Sequence, residues 1–241
     1  MSGHNKWSKI KNKKGSEDAR RGKIFTKLGR AIAVAVRDGG PDPDYNPSLK
    51  SAIEKAKAEN MPNDNIDRAI KKASGDGDGN NYEEIIYEGY GPEGVAIIVE
   101  CLTDNRNRTA SDVRHYFDKF GGNLGQNGSV SFMFQRRGLL VIDAEGIDAE
   151  EAMMDAIDAG ASDVDIDEDM LVVYTSMEDF SQVRDSLLEK GYVFEESDLI
   201  YQPSNYIKLE KPESIANMEK LIDNLEDSDD VQKVHHNWEQ E

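Results

Sequence analysis

GLLVIDAEGIDAEEAMMDAIDAGASDVDIDEDMLVVYTSMEDFSQVRDSLLEKGYVFEESDLI (residues 138–200) changes hydrophobic period four times. Gly138–Ile142 is a short apolar run with strand character, and Asp148–Asp158 has apolar residues at helical spacing. Two short strands follow, Asp163–Ile166 and Met170–Tyr174, then a helix over Met177–Lys190 and a strand over Tyr192–Ile200. The order β-α-β-β-α-β is the split βαβ, or ferredoxin-like, arrangement.

On the C-terminal side the sequence predicts a strand near Tyr206–Leu209, a helix over Pro212–Glu226 and a strand over Val231–His236. These elements are too few to bury a sheet alone. On the N-terminal side, Tyr82–Tyr90 and Val95–Leu102 read as strands joined by the GYGPEG turn (89–94). A helix over Asn107–Phe120, stopped by Gly121–Gly122, and a strand over Ser129–Phe134 come next. Joined, the two flanks complete a second α/β sandwich. The ferredoxin-like segment, residues 135–203, is then an insertion in a discontinuous domain made of 78–134 plus 204–241.

Residues 1–77 differ in character. Residues 1–15 have no periodicity and read as an extended basic arm. Ser16 is the expected N-cap of a helix running to about Arg37 and ending at Gly39–Gly40. Ile24, Phe25, Leu28, Ala31, Ile32, Ala35 and Val36 share one arc of that helix, and Arg20, Lys23, Lys27, Arg30 and Arg37 fill the arc beside it. PDPDYNP (41–47) is a loop, Asn46-Pro47 starts a second helix, and a third runs from Pro62 to Gly75. GDGDGNN (75–81) is a linker. The predicted class is α+β: an N-terminal three-helix domain followed by two ferredoxin-like α/β sandwiches, the third domain inserted in the second.

Charge is distributed unevenly. The 241 residues carry a formal net charge of −19. Residues 1–75 nevertheless hold 17 Lys/Arg against 9 Asp/Glu, and the rest hold 12 against 39. Such asymmetry points to a polyanion partner for the basic part. The longest apolar runs, Ala31–Val36 and Val95–Val99, are too short to span a bilayer, and the N-terminus lacks the apolar stretch of a secretory signal. The single cysteine, Cys101, excludes an internal disulfide and thiolate zinc spacings. A cytoplasmic location is expected.

The candidate nucleic-acid-binding residues are Lys6, Trp7, Lys9, Lys11, Lys13 and Lys14 in the arm, Arg20, Lys23, Lys27 and Arg30 on the first helix, and Arg106 and Arg108 in a strand-to-helix turn. Lysine and arginine displace counterions from phosphates, which yields affinity without reading sequence. Trp7 has two readings, filling a gap in the helical domain or stacking on an exposed base. For Arg106 and Arg108 the alternatives are loop and capping chemistry or a second phosphate contact. GGNLGQNGS (121–129) follows a helix and precedes a strand, the reverse of a dinucleotide fingerprint, so its glycines are assigned to a helix stop and a tight turn. DVDIDEDM (163–170) lacks the Gly and Glu of a calcium loop in either register and reads as an acidic hairpin. His235 and His236 point to opposite faces of a strand, and no G-x-S-x-G, H-E-x-x-H or GxxxxGK[ST] occurs. No catalytic residue, metal site or cofactor is expected.

GHNKWSKIKNKK (3–14), RRGKIFTKL (20–28), NMPNDNIDRAIKK (60–72), YEGYGPEGVAIIVECLTDNRNRTASDVR (87–114) and GGNLGQNGSVSFMF (121–134) closely resemble the YebC/PmpR family. The resemblance is dense through residue 134 and looser beyond. Where the family pattern has Ser-Lys-Trp, this chain has Asn5-Lys6-Trp7. The resemblance implies three domains, the last inserted in the middle one. It also implies two competing functions. One is a DNA-binding regulator of transcription; the other is a ribosome-associated factor binding ribosomal RNA or tRNA to help translation through stalls such as proline runs, related to the mitochondrial translational activator of cytochrome c oxidase. A third reading is a protein-interaction adaptor whose acidic domains do the work. The expected partners are nucleic acid and possibly the ribosome, with no membrane and no small-molecule substrate.

Overall fold

Helical periodicity in the first third of the chain produces three helices, α1 (Glu17–Gly39), α2 (Pro47–Ala58) and α3 (Asn63–Ser74). The structure is a computed structural model that describes residues 17–75, 81–167 and 169–240, with side chains described from residue 21 onward. Ile32, Ala35 and Val36 of α1 pack with Leu49, Ala56, Met61 and Ile66 to form the helical core. Asn46, 2% exposed, organises the turn between α1 and α2. Its Oδ1 accepts from Leu49 N at 3.0 Å and caps α2, while Nδ2 donates to Ala35 O at 2.7 Å and Gly40 O at 2.8 Å. One amide side chain thus satisfies orphan groups at the end of one helix and the start of the next. The predicted N-cap Ser16 and the arm lie outside the described residues, as does most of the 75–81 linker.

The second region opens with β1 (Glu83–Tyr90) and β2 (Ala96–Thr103), antiparallel from Glu83↔Thr103 to Tyr90↔Ala96. It continues with α4 (Arg106–Lys119) and a two-residue β3 (Asn123–Leu124). Here the structure departs from the sequence reading. Ser129–Phe134 is not a strand; Ser131–Met133 forms a 3₁₀ turn, and the strand begins at Phe134. Period-2 apolarity in Val130–Phe134 mimics a strand, but the glycine-rich stretch before it is folded back onto β1 instead.

β4 (Phe134–Asp143), α5 (Ala149–Ala159), β5 (Asp163–Asp167), β6 (Met170–Thr175), α6 (Phe180–Glu189) and β7 (Phe194–Pro203) form a β5-β6-β4-β7 antiparallel sheet in the split βαβ order. Asp148 Oδ1 caps α5 through Glu150 N and Glu151 N, and Gly160, at φ 107°, ends it in the left-handed conformation. Ala152, Ala156, Val183 and Leu187 bury one face of the sheet against Leu140, Ile142, Leu171 and Val173. Residues directly opposite in an antiparallel ladder share a face. On the other face the register aligns Asp163–Tyr174–Leu139–Asp198 and Asp165–Val172–Val141–Glu196, so both rows end in carboxylates at the sheet edges.

The chain then returns. β8 (Ile207–Lys208), α7 (Pro212–Asp227), β9 (Val231–His236) and β10 (Trp238–Glu239) follow, with β9 pairing β2 to give a β3-β1-β2-β9 antiparallel sheet. β10 pairs β8 in parallel. Phe117 of α4, Phe120 just after it, and Met218, Leu221 and Leu225 of α7 cover Ile97, Val99, Cys101 and Val231. The described chain separates into two units. One is 131–206; the other holds the three helices together with the sheet of β1, β2, β3 and β9. This is the expected α+β architecture.

The GGNLGQNGS loop is held by β1. Glu88, 6% exposed, accepts from Gly128 N and Val130 N at 2.8 Å each, and its carbonyl accepts from Gly125 N at 2.8 Å. A Cβ at Gly89 would lie 2.6 Å from Asn123 O and 2.7 Å from a Phe117 ring carbon. The glycine permits the close approach of β1 and β3. Gly89→Ala is expected to destabilise the protein by about 1–3 kcal/mol through overpacking against backbone, read as a lower urea midpoint with an unchanged m-value.

Candidate nucleic-acid interface

The last turn of α7 and the residues after it read EDSDD (226–230). Four carboxylates here stand at a helix C-terminus, where unsatisfied carbonyls already make the potential negative. Such a cluster demands cations, and α1 supplies them. Lys23 forms an ion pair with Asp227. Lys27 Nζ donates to Glu226 O at 2.6 Å. Arg30 Nη1 donates to Asp229 O at 2.8 Å, Leu102 O at 3.1 Å and Asp230 Oδ1 at 2.6 Å, with its guanidinium 5.3 Å from the Tyr82 ring centroid. Burial pushes the Lys27 ammonium below its ordinary value, against the pull of Glu226, Asp229 and Asp227.

Asp230 is the centre of the arrangement. Its side chain is 7% exposed and that of Arg30 is 14% exposed. From α4, Arg108 Nη2 reaches Asp230 Oδ2 at 2.8 Å and Nε reaches it at 3.2 Å, while Nη2 also donates to Asp104 Oδ1 at 2.9 Å. Thr109 Oγ1 donates to Asp230 Oδ2 at 2.7 Å, and Thr103 Oγ1 lies 3.3 Å from the same oxygen. The Asp230 carbonyl accepts from Leu102 N at 2.7 Å. Burial alone would raise this carboxyl, but the hydrogen bonds from Arg108, Arg30 and Thr109 outweigh it and hold the pKa below the usual carboxylate value.

These contacts replace the outward ladder read from the sequence. Lys23, Lys27 and Arg30 do line one arc of α1, as the 3.6-residue period requires, but the arc faces acids of the same chain. Arg108 is likewise turned to Asp230, while Asn105 Oδ1 caps α4 through Arg108 N at 3.1 Å. Arg106 is exposed at the start of α4, where its carbonyl accepts from Tyr87 Oη at 3.4 Å. Lys6, Trp7, Lys9, Lys11, Lys13 and Lys14 lie outside the described residues, as does the side chain of Arg20.

Sequence reasoning missed Asp230. It is one of 48 acidic residues and lies 200 positions from Arg30, so nothing local distinguishes it. Elsewhere, His235 Nε2 lies 2.6 Å from Glu100 Oε1 across β9 and β2, and burial pushes the Cys101 thiol up to about 12. Among the described residues there is no group of three or more His, Cys, Asp or Glu placed to hold a metal ion.

The chain matches two family models: the TACO1/YebC protein N-terminal domain over residues 5–76, and the TACO1/YebC second and third domain over residues 82–238. It is 77% identical to a probable transcriptional regulatory protein of Finegoldia magna over the whole of both chains. It is 59% identical to one from Ruminiclostridium cellulolyticum, covering 100% of this chain and 98% of the relative. The crystal structure of a conserved hypothetical protein from Aquifex aeolicus superimposes with a TM-score of 0.87 at 46% identity, covering 97% of this chain and 96% of that one.

Asp230→Asn leaves Arg30 without its buried counter-charge and Arg108 with Asp104 alone, and is expected to destabilise the protein by about 3 kcal/mol at neutral pH. The sign with pH follows from the depressed folded value. The stabilisation is complete above the unfolded carboxyl value of about 3.9 and is lost as pH falls through the folded one. Denaturation of both proteins from neutral to acid pH should therefore show the D230N penalty shrinking below about pH 4.

Proposed function

This chain belongs to the TACO1/YebC family, and from that premise we propose that it is a nucleic-acid-binding regulator, acting on DNA in transcription. The observation that carries the reading is the charge division: 17 cations against 9 acids in the first 75 residues, and 12 against 39 beyond them. A polyphosphate is attracted to the first part and repelled by the second. Relatives with closely similar sequences carry the name probable transcriptional regulatory protein.

In this reading the arm, through Lys6, Lys9, Lys11, Lys13 and Lys14, grips phosphates, and Trp7 either stacks on a base or anchors the arm. Arg106 adds a contact at the exposed N-terminus of α4. Lys23, Lys27, Arg30 and Arg108 instead hold the basic lobe in place on the second domain. The inserted sheet, whose rows on the face away from its helices end in Asp163, Asp165, Glu196 and Asp198, keeps phosphates away. The protein works by binding rather than by catalysis, in the cytoplasm. Among the described residues no helix is long and apolar enough to cross a membrane.

Phosphate contacts position a protein without reading bases. That favours a second target equally served by such contacts, structured RNA on the ribosome. Anisotropy titrations of full-length protein with a labelled DNA duplex and a labelled RNA hairpin distinguish the two. Log affinity should fall with log salt by about 0.9 per duplex phosphate engaged, and Lys11→Glu with Lys13→Glu should weaken binding to all sequences alike. Unchanged binding by that double variant would sink the role of the arm.

A further inference from the structure

We propose that the helical domain carries a second phosphate-contact surface on the outer side of α3, formed by Arg68, Lys71 and Lys72. The inference rests on the nucleic-acid reading above and says where, besides the arm, the backbone lies.

The argument starts from the α1 cations. A phosphate reaching Lys23, Lys27 or Arg30 must displace Asp227, the Glu226 carbonyl or the buried Asp230, and each displacement leaves acids unneutralised at the end of α7. Competition of that kind removes most of the favourable counterion release. The charge asymmetry therefore has to act elsewhere. On α3, Ile66, Ala69, Ile70 and Ala73 face the helical core. The 3.6-residue period turns positions 68, 71 and 72 away from that core, and all three are exposed. Spaced at i, i+3 and i+4, they lie about 5–6 Å apart between Cβ atoms, on one side of the helix. No ion pair or hydrogen bond engages these three side chains among the described residues, in contrast to the α1 cations.

The acids of α3 offset the stripe only in part, two carboxylates against three cations. Asp64 stands in the first turn, where the helix dipole favours a carboxylate, four residues before Arg68, and Asp67 stands four residues before Lys71, on the same side of the helix. Lys71 and Lys72 in the last turn also suit the dipole. Arg68, mid-helix, gains nothing from it, and it extends the cationic face by a full turn. The partner chemistry is a phosphodiester backbone, contacted by charge and not by base edges.

The test uses full-length protein with a labelled DNA duplex and a labelled RNA hairpin, each titrated across a range of salt. Arg68→Gln, Lys71→Gln and Lys72→Gln combined should bind the duplex at least about tenfold more weakly, with the log–log salt slope shallower by about 2.7. These side chains are exposed, so thermal unfolding should be unchanged; the Lys71→Gln, Lys72→Gln double variant gives a graded second reading. Lys23→Gln with Lys27→Gln should lower thermal stability and leave the salt slope alone. If the α3 triple variant keeps the wild-type slope while the Lys11→Glu, Lys13→Glu variant loses affinity, the α3 surface is wrong and the arm stands. If the α1 pair, and not the α3 triple, lowers the slope, the α1 latch opens to phosphate and the inference is overturned. If wild-type protein shows no salt-sensitive binding to either probe, the nucleic-acid reading falls and this inference with it.

Discussion

A carboxylate withdrawn from water must find cations and hydroxyls or be neutralised, and Asp230 meets that demand with groups from three places in the chain. Arg30 comes from the first helix; Arg108 and Thr109 come from the helix after β2; Leu102 N, on β2, binds the Asp230 carbonyl. An uncompensated charge at this depth would cost several kcal/mol. The network therefore fixes which face of α1 meets the second domain. Lys27 and Lys23 follow, since they lie one and two turns earlier on the same arc and reach the end of α7. The direction in which the rest of the helical domain presents its charge depends on this contact.

Charge in this protein is sorted twice. Along the chain, cations gather before residue 75 and acids after it. In space, Lys23, Lys27 and Arg30 are turned to the acids at 226–230, and Arg68, Lys71 and Lys72 stay exposed. The pairing reconciles a basic N-terminal lobe with an acidic body: the lobe is held by the very opposition that would draw it to a polyanion. The acidic rows on the inserted sheet complete the division, with carboxylates at both edges and Leu139, Val141 and Val172 buried between them.

Buried polar side chains close the other critical turns as well. Asn46 joins the end of α1 to the start of α2, and Glu88 holds the glycine-rich loop against β1 through two backbone amides. Each satisfies groups that neither helix nor sheet can satisfy, which ties these short connections to the elements beside them. The glycines at 89 and 122 belong to the same device. A Cβ on either would approach a backbone carbonyl oxygen to 2.6 Å.

Element types and order were legible in the sequence because they depend on local periodicity. The three helices, the β1–β2 hairpin and the split βαβ run over 138–200 follow from spacing, Gly stops and the Asn46-Pro47 helix start. Where local pattern and tertiary demand diverge, the sequence misleads: Val130–Phe134 alternates like a strand, yet Glu88 captures its first amide and the segment turns. The partners of the cations were not legible at all. Arg30 and Asp230 are 200 residues apart, and an arc of lysines looks the same whether it faces solvent or another domain. Periodicity determines which residues share a face; only the folded chain decides what that face meets, because electrostatic pairing depends on distance in space and not along the sequence.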